Sequence, residues 1–186
     1  MSDPSIRPLS ALGGAAFDGF AKVREIGPLG MITLRAKNLK SLGKAVKAAF
    51  GTKVPAQRRI ERVGDRACAW MSPDEYLLLM PYSDVSKVLD AIAQALAGEH
   101  HLAVDVSDAR AVFRIEGDAA ARVLSKLCPV DFDTLEPGEV RRTRAAQVAV
   151  AFWHQDGGYT LVSFRSVAGY VMGLLAHSAR QGSDPA

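Results

Sequence analysis

The sequence predicts an α+β fold built from a duplicated β-β-α-β-β-β-α unit. Short apolar runs of period two, bounded by Gly, Pro and Asp, alternate with stretches of helical period. Apolar positions of the first half recur in the second half, 81 residues later for most of the unit and 82 later in its last helix. Examples are Val23 and Val104, Ile32 and Phe113, and Val85 and Val167. Neither half carries enough sheet and helix to close a core alone, so we expect one domain with pseudo-two-fold symmetry.

Five strands and two helices are predicted in the first half. The strands cover 23–26, 31–36, 58–63, 67–71 and 76–80, with turns at Gly64-Asp65 and Ser72-Pro73-Asp74. The first helix begins after the cap Asn38 and ends at Gly51. Its inner face is Leu39, Leu42, Val46 and Phe50. The second helix begins at Ser83 or Asp84, ends at Gly98 and buries Val85, Val88, Leu89, Ile92 and Leu96.

The second half is predicted to repeat this order. Strands cover 103–106, 111–116, 139–143, 147–152 and 159–164, and Asp156-Gly157-Gly158 joins the last two. Gly117 permits a close turn, and Asp118 caps a helix that ends before Pro129. That helix points Ala120, Val123, Leu124 and Leu127 inward. Ser166 caps the final helix, whose apolar face is Val167, Tyr170, Val171, Leu174 and Leu175.

Residues 21–180 are expected to form the domain, with halves 21–98 and 99–180. Residues 181–186 form a flexible tail. Residues 1–20 form an N-terminal arm that is too poor in apolar periodicity to fold alone. Its apolar anchors are Leu9, Leu12, Phe17 and Phe20. The arm is therefore either a disordered tail or a segment that docks on another surface.

Composition points to a globular cytoplasmic protein. Of its 186 residues 48% are hydrophobic, and the net charge of +3 is too small to indicate a nucleic-acid surface. No apolar run approaches the roughly 18 residues needed to span a membrane. The first residues lack the basic and apolar regions of a secretory signal. Cys68 and Cys128 lie in apolar or helical surroundings, as expected for buried thiols in a reducing compartment.

No catalytic, cofactor-binding or metal-binding residue is predicted. His100 and His101 are adjacent and would point apart in a strand, and no ligand lies beside them at metal spacing. Neither cysteine has a histidine close in sequence, which gives no signal for a nucleophile. Phosphate-binding glycine loops are also missing, so the chain brings no dinucleotide or flavin site.

Two groups of polar residues allow more than one interpretation. Arg141, Arg142 and Arg144 lie on one predicted strand, with Arg165 further along the chain. They form either a solvated edge strand protected from aggregation or a docking surface for an acidic partner. Asp105 and Ser107 are expected to satisfy backbone groups in their own turn. Trp70 and Tyr76 are expected to face each other across a hairpin and anchor the core.

Three segments together resemble the gamma subunit of the heterotetrameric sarcosine oxidases. They are 70–78, 105–143 and 165–166, and the arm's Arg7 to Leu12 is also similar to the opening of that family. The residues that carry the resemblance are Trp70, Pro73, Asp74, Asp105, Ser107, Gly117, Leu124, Asp131, Gly138, Thr143, Arg165 and Ser166. The resemblance covers nearly the whole chain, in order and at compatible spacing.

The resemblance implies a fold similar to the folate-binding domain of aminomethyltransferases, which is itself a duplication. In the complex it implies, other subunits hold FAD, FMN and NAD and oxidise sarcosine, and tetrahydrofolate accepts the one-carbon unit. The gamma subunit binds no cofactor there. It assembles with the alpha, beta and delta subunits, mainly the large alpha subunit. We therefore expect a non-catalytic structural subunit, with the arm and the arginine strand as its partner contact.

Two other functions remain open at this point. One is a free-standing folate-dependent one-carbon enzyme or folate-binding protein, and a weaker one is a basic RNA-associated module. A pterin pocket needs a convergent carboxylate or amide in an apolar cleft. The candidates are Asp65, Asp74, Glu75 and Asp105, and each has a simpler role in a turn or cap. Useful folate binding is therefore not expected.

Overall fold

The computed structural model describes residues 8–183, and within them it contains eleven β-strands and four α-helices. The strands are β1 (Ala16–Asp18), β2 (Lys22–Ile26), β3 (Leu29–Ala36), β4 (Ile60–Val63), β5 (Arg66–Ser72), β6 (Glu75–Pro81), β7 (His101–Asp105), β8 (Arg110–Glu116), β9 (Val140–Ala145), β10 (Val148–Gln155) and β11 (Gly158–Phe164). The helices are α1 (Leu39–Phe50), α2 (Val85–Ala95), α3 (Ala120–Ser125) and α4 (Ala168–Ser178). The mixed α+β class is confirmed.

The strands form two antiparallel sheets that exchange a strand between the halves of the chain. The six-stranded sheet has the order β1-β2-β8-β11-β10-β9, and the five-stranded sheet has the order β4-β5-β6-β3-β7. Thus β2, from the first half, pairs with β8, with Val23 opposite Ile115. In return β7, from the second half, pairs with β3, with Thr33 opposite Val104. Each sheet is therefore completed by a strand from the other half.

Side chains pack in three apolar clusters that order the sheets and helices in four layers. Phe113, Leu161 and Val171 belong to the cluster between the six-stranded sheet and its helices α3 and α4. A second cluster joins the five-stranded sheet to α1 and α2 and contains residues such as Ile32 and Val46. The third lies between the two sheets. Its members include Met31, Leu79, Val112, Trp153 and Val162. The facing sheets are thus the centre of the molecule, with helices outside.

Helix α1 has the predicted caps but a smaller inner face. The Asn38 side chain accepts a hydrogen bond from the Ser41 N–H, and Gly51 ends the helix at φ 87°. Leu42, Val46 and Phe50 are buried as predicted. The prediction that Leu39 lies on the inner face is wrong, since Leu39 is 51% exposed. It is the first residue of the helix, so the first turn lies at the periphery of the core.

Two predicted helix caps are wrong. Helix α3 begins at Ala120 with Ala119 at its N-cap, and α4 begins at Ala168 with Val167 there; neither end has a side-chain cap bond. A tight turn precedes each helix and displaces the expected cap, because the N–H of Ala120 bonds to the Gly117 carbonyl. Before α4 the chain forms a 3₁₀ turn, Arg165–Val167, which contains Ser166 and so displaces it from the cap position.

The final helix also differs on its exposed side. Tyr170 was predicted to face the core, but it is 51% exposed, whereas Val171 and Leu175 are fully buried. Helix α4 begins at Ala168, one residue later than predicted, and Tyr170 lies in its first turn. Val171 and Leu175 are four residues apart and form the stripe that contacts the sheet.

The β10–β11 hairpin turns at Asp156 and Gly157, two of the three residues predicted to join these strands, and Gly158 is already the first residue of β11. Asp156 and Gly157 both have positive φ, 43° and 71°, and Gln155 pairs with Gly158. This is the geometry that matches strand twist in a tight hairpin. Gly158 must lack a side chain, because a Cβ there would lie 2.1 Å from the Ile115 carbonyl oxygen. The glycine thus lets β11 approach β8 closely.

Both cysteines are buried free thiols, as predicted. Cys68 belongs to the cluster beneath α1 and α2, and Cys128 to the cluster beneath α3 and α4. Burial raises the pKa of each thiol to about 12. Of the helices within residues 8–183, none has the length and apolarity to cross a membrane.

The inward face of α3 can be tested by truncating its central leucine. Leu124 is fully buried against the strand that carries Phe113 and Ile115. We expect Leu124→Ala to lower the free energy of unfolding by about 2–5 kcal/mol, because it leaves a cavity. Leu39→Ala is the matched control on an exposed helical site and should change stability by about 0.5 kcal/mol or less. Denaturant unfolding measures both, and equal losses would show that the α3 face is misassigned.

The raised thiol pKa values predict slow labelling by a disulfide reagent. The thiolate is the reactive form, and an ordinary cysteine has a pKa of about 8.5. At pH 8 Cys68 and Cys128 remain almost entirely protonated, since their pKa is about 12. We expect neither to react with dithiobis-nitrobenzoate in the native protein, and both to react in about 6 M guanidinium chloride. Rapid native labelling of either thiol would contradict their burial.

Candidate functional site

The described part of the N-terminal arm, residues 8–20, packs against its own domain. Strand β1 pairs with β2, and Phe17 lies opposite Val23. Leu12, Phe17 and Phe20 pack against the cluster beneath α3 and α4. The sequence left open whether the arm is a disordered tail or a docking segment. Residues 8–20 are docked, and the surface that they dock on belongs to the same chain. Residues 1–7 of the predicted arm and 184–186 of the predicted tail lie outside the described residues.

A buried carboxylate and an arginine hold the arm in place. Glu25 is only 4% exposed. Its carboxylate accepts hydrogen bonds from the Ser10 hydroxyl at 2.8 Å and from the backbone N–H groups of Ala11 at 3.0 Å and Gly14 at 2.8 Å. Arg165 donates to the carbonyl oxygens of Leu9 and Ser10, both at 3.1 Å. These bonds to charged groups satisfy backbone atoms of a segment that lacks regular structure.

One apolar anchor of the arm remains available to a partner. Leu9 is 72% exposed, while the other three predicted anchors are partly buried within the chain. Deleting the whole arm would therefore remove β1 and part of the core as well as any partner contact. The arm as a partner contact stays a prediction, and Leu9 is the anchor on which it now depends.

The three arginines lie on β9, which is an edge strand of the six-stranded sheet. This agrees with the edge-strand interpretation and leaves the docking surface untested. Alternation along the strand places Arg142 and Arg144 on one face and Arg141 on the other. Arg141 Nε lies 3.0 Å from Glu139 Oε1, and Arg142 donates to the Met71 carbonyl oxygen at 2.8 Å. Arg144 is exposed. Arg142 and Arg144 therefore form one group, and Arg141 on the other face of the strand forms a second.

Glu139 joins the edges of the two sheets. It forms ion pairs with Arg141 and Arg58, and the Val140 N–H bonds to the Arg58 carbonyl at 2.8 Å. Burial raises the pKa of the Glu139 carboxyl, but the Glu136 N–H and the two guanidinium groups outweigh it, so the pKa is lowered. Glu139 therefore stays ionised and keeps the segment before β4 against the segment before β9.

A cavity of about 380 Å³ lies between the two sheets, and we call it the inter-sheet cavity. It is lined by residues of both sheets: Thr33, Met71, Glu75, Leu77, Arg110, Arg142, Thr143, Ala149, Val150, Ala151, Val162 and Phe164. The Arg110 guanidinium carbon lies 4.2 Å from the centre of the Phe164 ring. Arg142 reaches Glu75 only at 4.0 Å. Charged and apolar groups thus converge in one partly open space.

The segment 70–78, one of those that carry the family resemblance, forms the turn of the β5–β6 hairpin. Trp70 and Tyr76 are register partners in the β5–β6 hairpin, as predicted. In its turn, which includes Pro73, Asp74 accepts from Arg35 at 3.0 Å and from the Ser72 hydroxyl at 3.1 Å. The bond from Arg35 is the main cause of the lowered pKa of Asp74. The hairpin is thereby tied to β3.

Asp105 and Ser107 lie where the chain crosses from one sheet to the other. Asp105 accepts from the Ser107 N–H at 2.9 Å, which is the turn bond expected from the sequence. Buried Ser107 also accepts from the Met31 N–H at 2.9 Å, and the Val106 N–H bonds to the Met31 carbonyl at 2.8 Å. Ser107 thus connects the crossover to β3.

The remaining resembling residues have separate positions. Gly117 has φ 111° between β8 and α3, Leu124 is in the core, and Asp131 accepts from the Asp133 N–H at 3.1 Å. Gly138 has φ 72° and its carbonyl accepts from the Ile60 N–H, while Thr143 lines the inter-sheet cavity. Arg165 holds the arm, and Ser166 is exposed in the 3₁₀ turn.

Of the four carboxylates considered for a pterin pocket, one lines the inter-sheet cavity and another, Asp74, lines a smaller pocket with Arg35 and His101. Asp65 is exposed in a turn, and Asp74 and Asp105 have the turn bonds given above. Glu75 instead lines the inter-sheet cavity. The assignment of Glu75 to a simple turn role was therefore incomplete. Glu75 and Leu77 are two residues apart on β6 and share one face of the strand, and both line the cavity.

Sequence reasoning missed Arg110 and the cavity itself. Arg110, Val112 and Arg114 alternate with the core residues Ala111, Phe113 and Ile115 along β8. That alternation indicates that the arginines share a face with buried Val112. The signal was present, but the second sheet that covers this face was not predicted. Across residues 8–183, no group of three or more His, Cys, Asp or Glu side chains is placed to hold a metal ion.

Comparisons with known proteins agree on a family. Residues 37–180 match the sarcosine oxidase gamma subunit family. The chain is 35% identical over 136 residues to a sarcosine oxidase subunit gamma of Corynebacterium sp. strain U-96, a match that covers 70% of this chain and 65% of that relative. The chain thus spans slightly less than two thirds of that relative's length.

Solved structures give the same picture for the fold. A chain of the heterotetrameric sarcosine oxidase of Corynebacterium sp. U-96 superposes with a TM-score of 0.81 and 26% identity, covering 92% of this chain and 90% of that one. Aminomethyltransferase T of the Bartonella henselae glycine cleavage system superposes at 0.64 with 10% identity, over 84% of this chain and 45% of that one, which shows a shared fold. Together with the match over residues 37–180, these similarities show that the chain belongs to the sarcosine oxidase gamma subunit family.

Proposed function

We propose that this chain is a non-catalytic structural subunit, the gamma subunit, of a heterotetrameric sarcosine oxidase. The observation that carries the proposal is the superposition over 92% of this chain and 90% of a chain from such a complex. Its partners would be the alpha, beta and delta subunits, chiefly alpha. The two buried free thiols support a location in the reducing cytoplasm.

Catalysis is assigned to the other subunits. The proposed complex oxidatively demethylates sarcosine to glycine, uses FAD, FMN and NAD, and passes the one-carbon unit to tetrahydrofolate. Residues of this chain do not fit a dinucleotide: the glycine turn after β8 leads into a helix of only six residues, α3. A Cβ at Gly117 would contact nothing within 4 Å, so no close approach requires that glycine. Both thiols are protonated and buried, which argues against a nucleophile.

We also propose that the chain is a duplicated unit. Counting from β2 and from β7, the strands correspond in order, with β3 matched to β8, β4 to β9, β5 to β10 and β6 to β11. With this correspondence, β7-β3-β6-β5-β4 and β2-β8-β11-β10-β9 have the same order. The recurring apolar positions at offsets of 81 and 82 residues support the same conclusion. The domain 21–180 is then one unit whose halves, 21–98 and 99–180, complete each other's sheets.

The runner-up, a free-standing folate-dependent enzyme or folate-binding protein, has less support. The chain covers 45% of aminomethyltransferase T, and 10% identity shows the fold alone. In the inter-sheet cavity the carboxylate of Glu75 lies with two arginines, Arg110 and Arg142. The two guanidinium groups outnumber that carboxylate, so they favour a negatively charged group there over the N–H donors of a pterin ring.

The partner contact is proposed to include the arm and β9. Leu9 offers exposed apolar surface, which a partner could bury at about 25 cal/mol per Å². Arg144 is exposed on the edge strand, where a charge acts mainly on encounter rate and register. Arg141 and Arg142 would add positive charge next to Arg144 on the same strand. Leu12, Phe17 and Phe20 would contribute indirectly, because their packing fixes the position of Leu9.

Co-purification tests the subunit assignment and its contact surface together. The tagged chain is co-expressed with the other three sarcosine oxidase subunits from the same genome, and we expect all three to co-purify. Leu9→Glu combined with Arg144→Glu should reduce their recovery about tenfold, because it introduces two negative charges at the proposed contact. Leu39→Glu combined with Lys40→Glu makes the same changes on exposed α1 residues and should leave recovery unchanged.

The outcomes separate the claims. If the unaltered chain recovers no partner, the subunit proposal is wrong. If both variants recover the partners equally, only the contact surface is wrong. Sarcosine-dependent peroxide formation should occur solely in fractions that contain the other subunits, and peroxide from the purified chain alone would contradict the non-catalytic assignment.

A further inference from the structure

The space between the two sheets changes from apolar to charged along the strands. At one end Met31, Leu79, Val112 and Trp153 are buried between the sheets. At the other end the facing positions hold Thr33, Glu75, Arg110 and Arg142, and the sheets leave the inter-sheet cavity. A facing pair of sheets is normally filled by side chains from both. A cavity that instead collects charged groups has the character of a binding site rather than a packing defect.

Arg110 is the least satisfied charged group in this space. Its Nε is buried and has no hydrogen-bond partner among the described residues. Its guanidinium packs on the face of the Phe164 ring at 4.2 Å, which fixes its plane without using its N–H donors. Burial is the main cause of the lowered pKa of the guanidinium. A buried donor left without a partner is costly, so an acceptor is favoured here.

The charges that line the cavity are not balanced. Two guanidinium groups, Arg110 and Arg142, share one carboxylate, Glu75. Arg142 Nη1 is 4.0 Å from Glu75 Oε2, beyond hydrogen-bond distance, and the same atom donates to the Met71 carbonyl at 2.8 Å. The lining therefore has an excess of one positive charge. One further carboxylate between the two arginines would neutralise it.

The walls determine what else such a ligand would carry. Leu77 of the five-stranded sheet and Val162 of the six-stranded sheet are both apolar lining residues, and Ala151 and Phe164 add apolar surface. Thr33 is the polar group on the five-stranded sheet's wall. A volume of about 380 Å³ falls within the range of small-molecule sites. The shape between two sheets suits a flat apolar body.

We propose that the inter-sheet cavity binds a small organic monocarboxylate with a flat apolar body. The carboxylate lies between Arg110 and Arg142, and the body lies between Leu77 and Val162. Arg110 supplies a fork of N–H donors already oriented by Phe164, which matches a carboxylate better than a single cation would. The site shares Arg142 with the proposed partner contact, and it does not depend on the subunit assignment.

The competing explanation is that the cavity holds only water and that Glu75 satisfies both arginines in solution. The two explanations differ in whether the charge of an added ligand matters. Indole-3-acetate and the uncharged indole-3-acetamide differ little in size and have the same flat body, so they separate charge from shape. Binding of each to the purified full-length chain is measured by calorimetry and by shifts of backbone amide NMR signals.

We expect saturable binding of indole-3-acetate, with the amide at least about tenfold weaker, because hydrogen bonds to charged groups are worth that much. Arg110→Met should remove the preference for the acid while retaining side-chain volume. Arg24→Met is the matched control, since Arg24 forms an exposed ion pair with Asp18 and does not line the cavity. It should leave the preference unchanged, and NMR shifts should centre on Thr33, Leu77 and Val162.

Several results would overturn the proposal. Equal affinity for the acid and the amide would show that the arginines do not discriminate between a charged and an uncharged ligand. No saturable binding of the acid up to about 10 mM would show that the cavity is not a site for this class. If Arg110→Met lowers the melting temperature so far that it is not folded, Arg142→Met, whose side chain is 49% exposed, carries the same expectation. Retention of the acid preference in the folded variant would also contradict the proposal.

Discussion

The exchange of β2 and β7 is the constraint on which the rest of the structure depends. β2 pairs with β8 over residues 22–26, and β7 pairs with β3 over residues 32–36. Neither sheet is complete without the other half of the chain, so both apolar faces of each sheet depend on long-range pairing. Ser107 reinforces the crossover, because its hydroxyl accepts the Met31 N–H and its own N–H reaches Asp105. A cooperative fold is the expected consequence.

This arrangement suits a subunit that presents surfaces. The facing sheets hold β9 at one edge, and Glu139 with its arginine partners joins that edge to the segment before β4. At the other edge, β1 and the Glu25 carboxylate hold the arm so that Leu9 projects from an ordered segment. Ordering these groups within the chain lowers the entropy that a partner contact would otherwise lose. The inter-sheet cavity lies beside β9 and shares Arg142 with that edge.

Much of the fold could be predicted because local pattern and tertiary environment agree. The strand 111–116 was predicted, and its Phe113 and Ile115 lie in the core. Asn38 and Gly51 cap α1 as predicted. The errors arise where tertiary structure decides. Asp118 and Ser166 lie in tight turns ahead of their helices, so a good cap residue stands too early in the chain. Leu39 and Tyr170 lie in first helical turns, where their side chains are exposed although the helical pattern places them on the apolar face.

The candidate site was harder to predict for a related reason. A charged residue in an alternating strand indicates a solvated face, unless another sheet covers it. The face of β8 that carries Arg110 is covered by strands distant in sequence, including β6 with Glu75 and Leu77. Glu25 was missed similarly, since its hydrogen bonds go to an arm with no periodicity. Both depend on contacts that no local pattern encodes.

The central claim, that the two halves complete each other, is tested most directly by producing residues 1–98 and 99–186 as separate chains. Circular dichroism and denaturant unfolding then compare each fragment, their equimolar mixture and the intact protein. The account predicts that neither fragment alone shows a cooperative transition, and that mixing restores native-like spectra and cooperative unfolding. A single fragment that unfolds cooperatively by itself would contradict it, because that half would have closed a sheet without its exchanged strand.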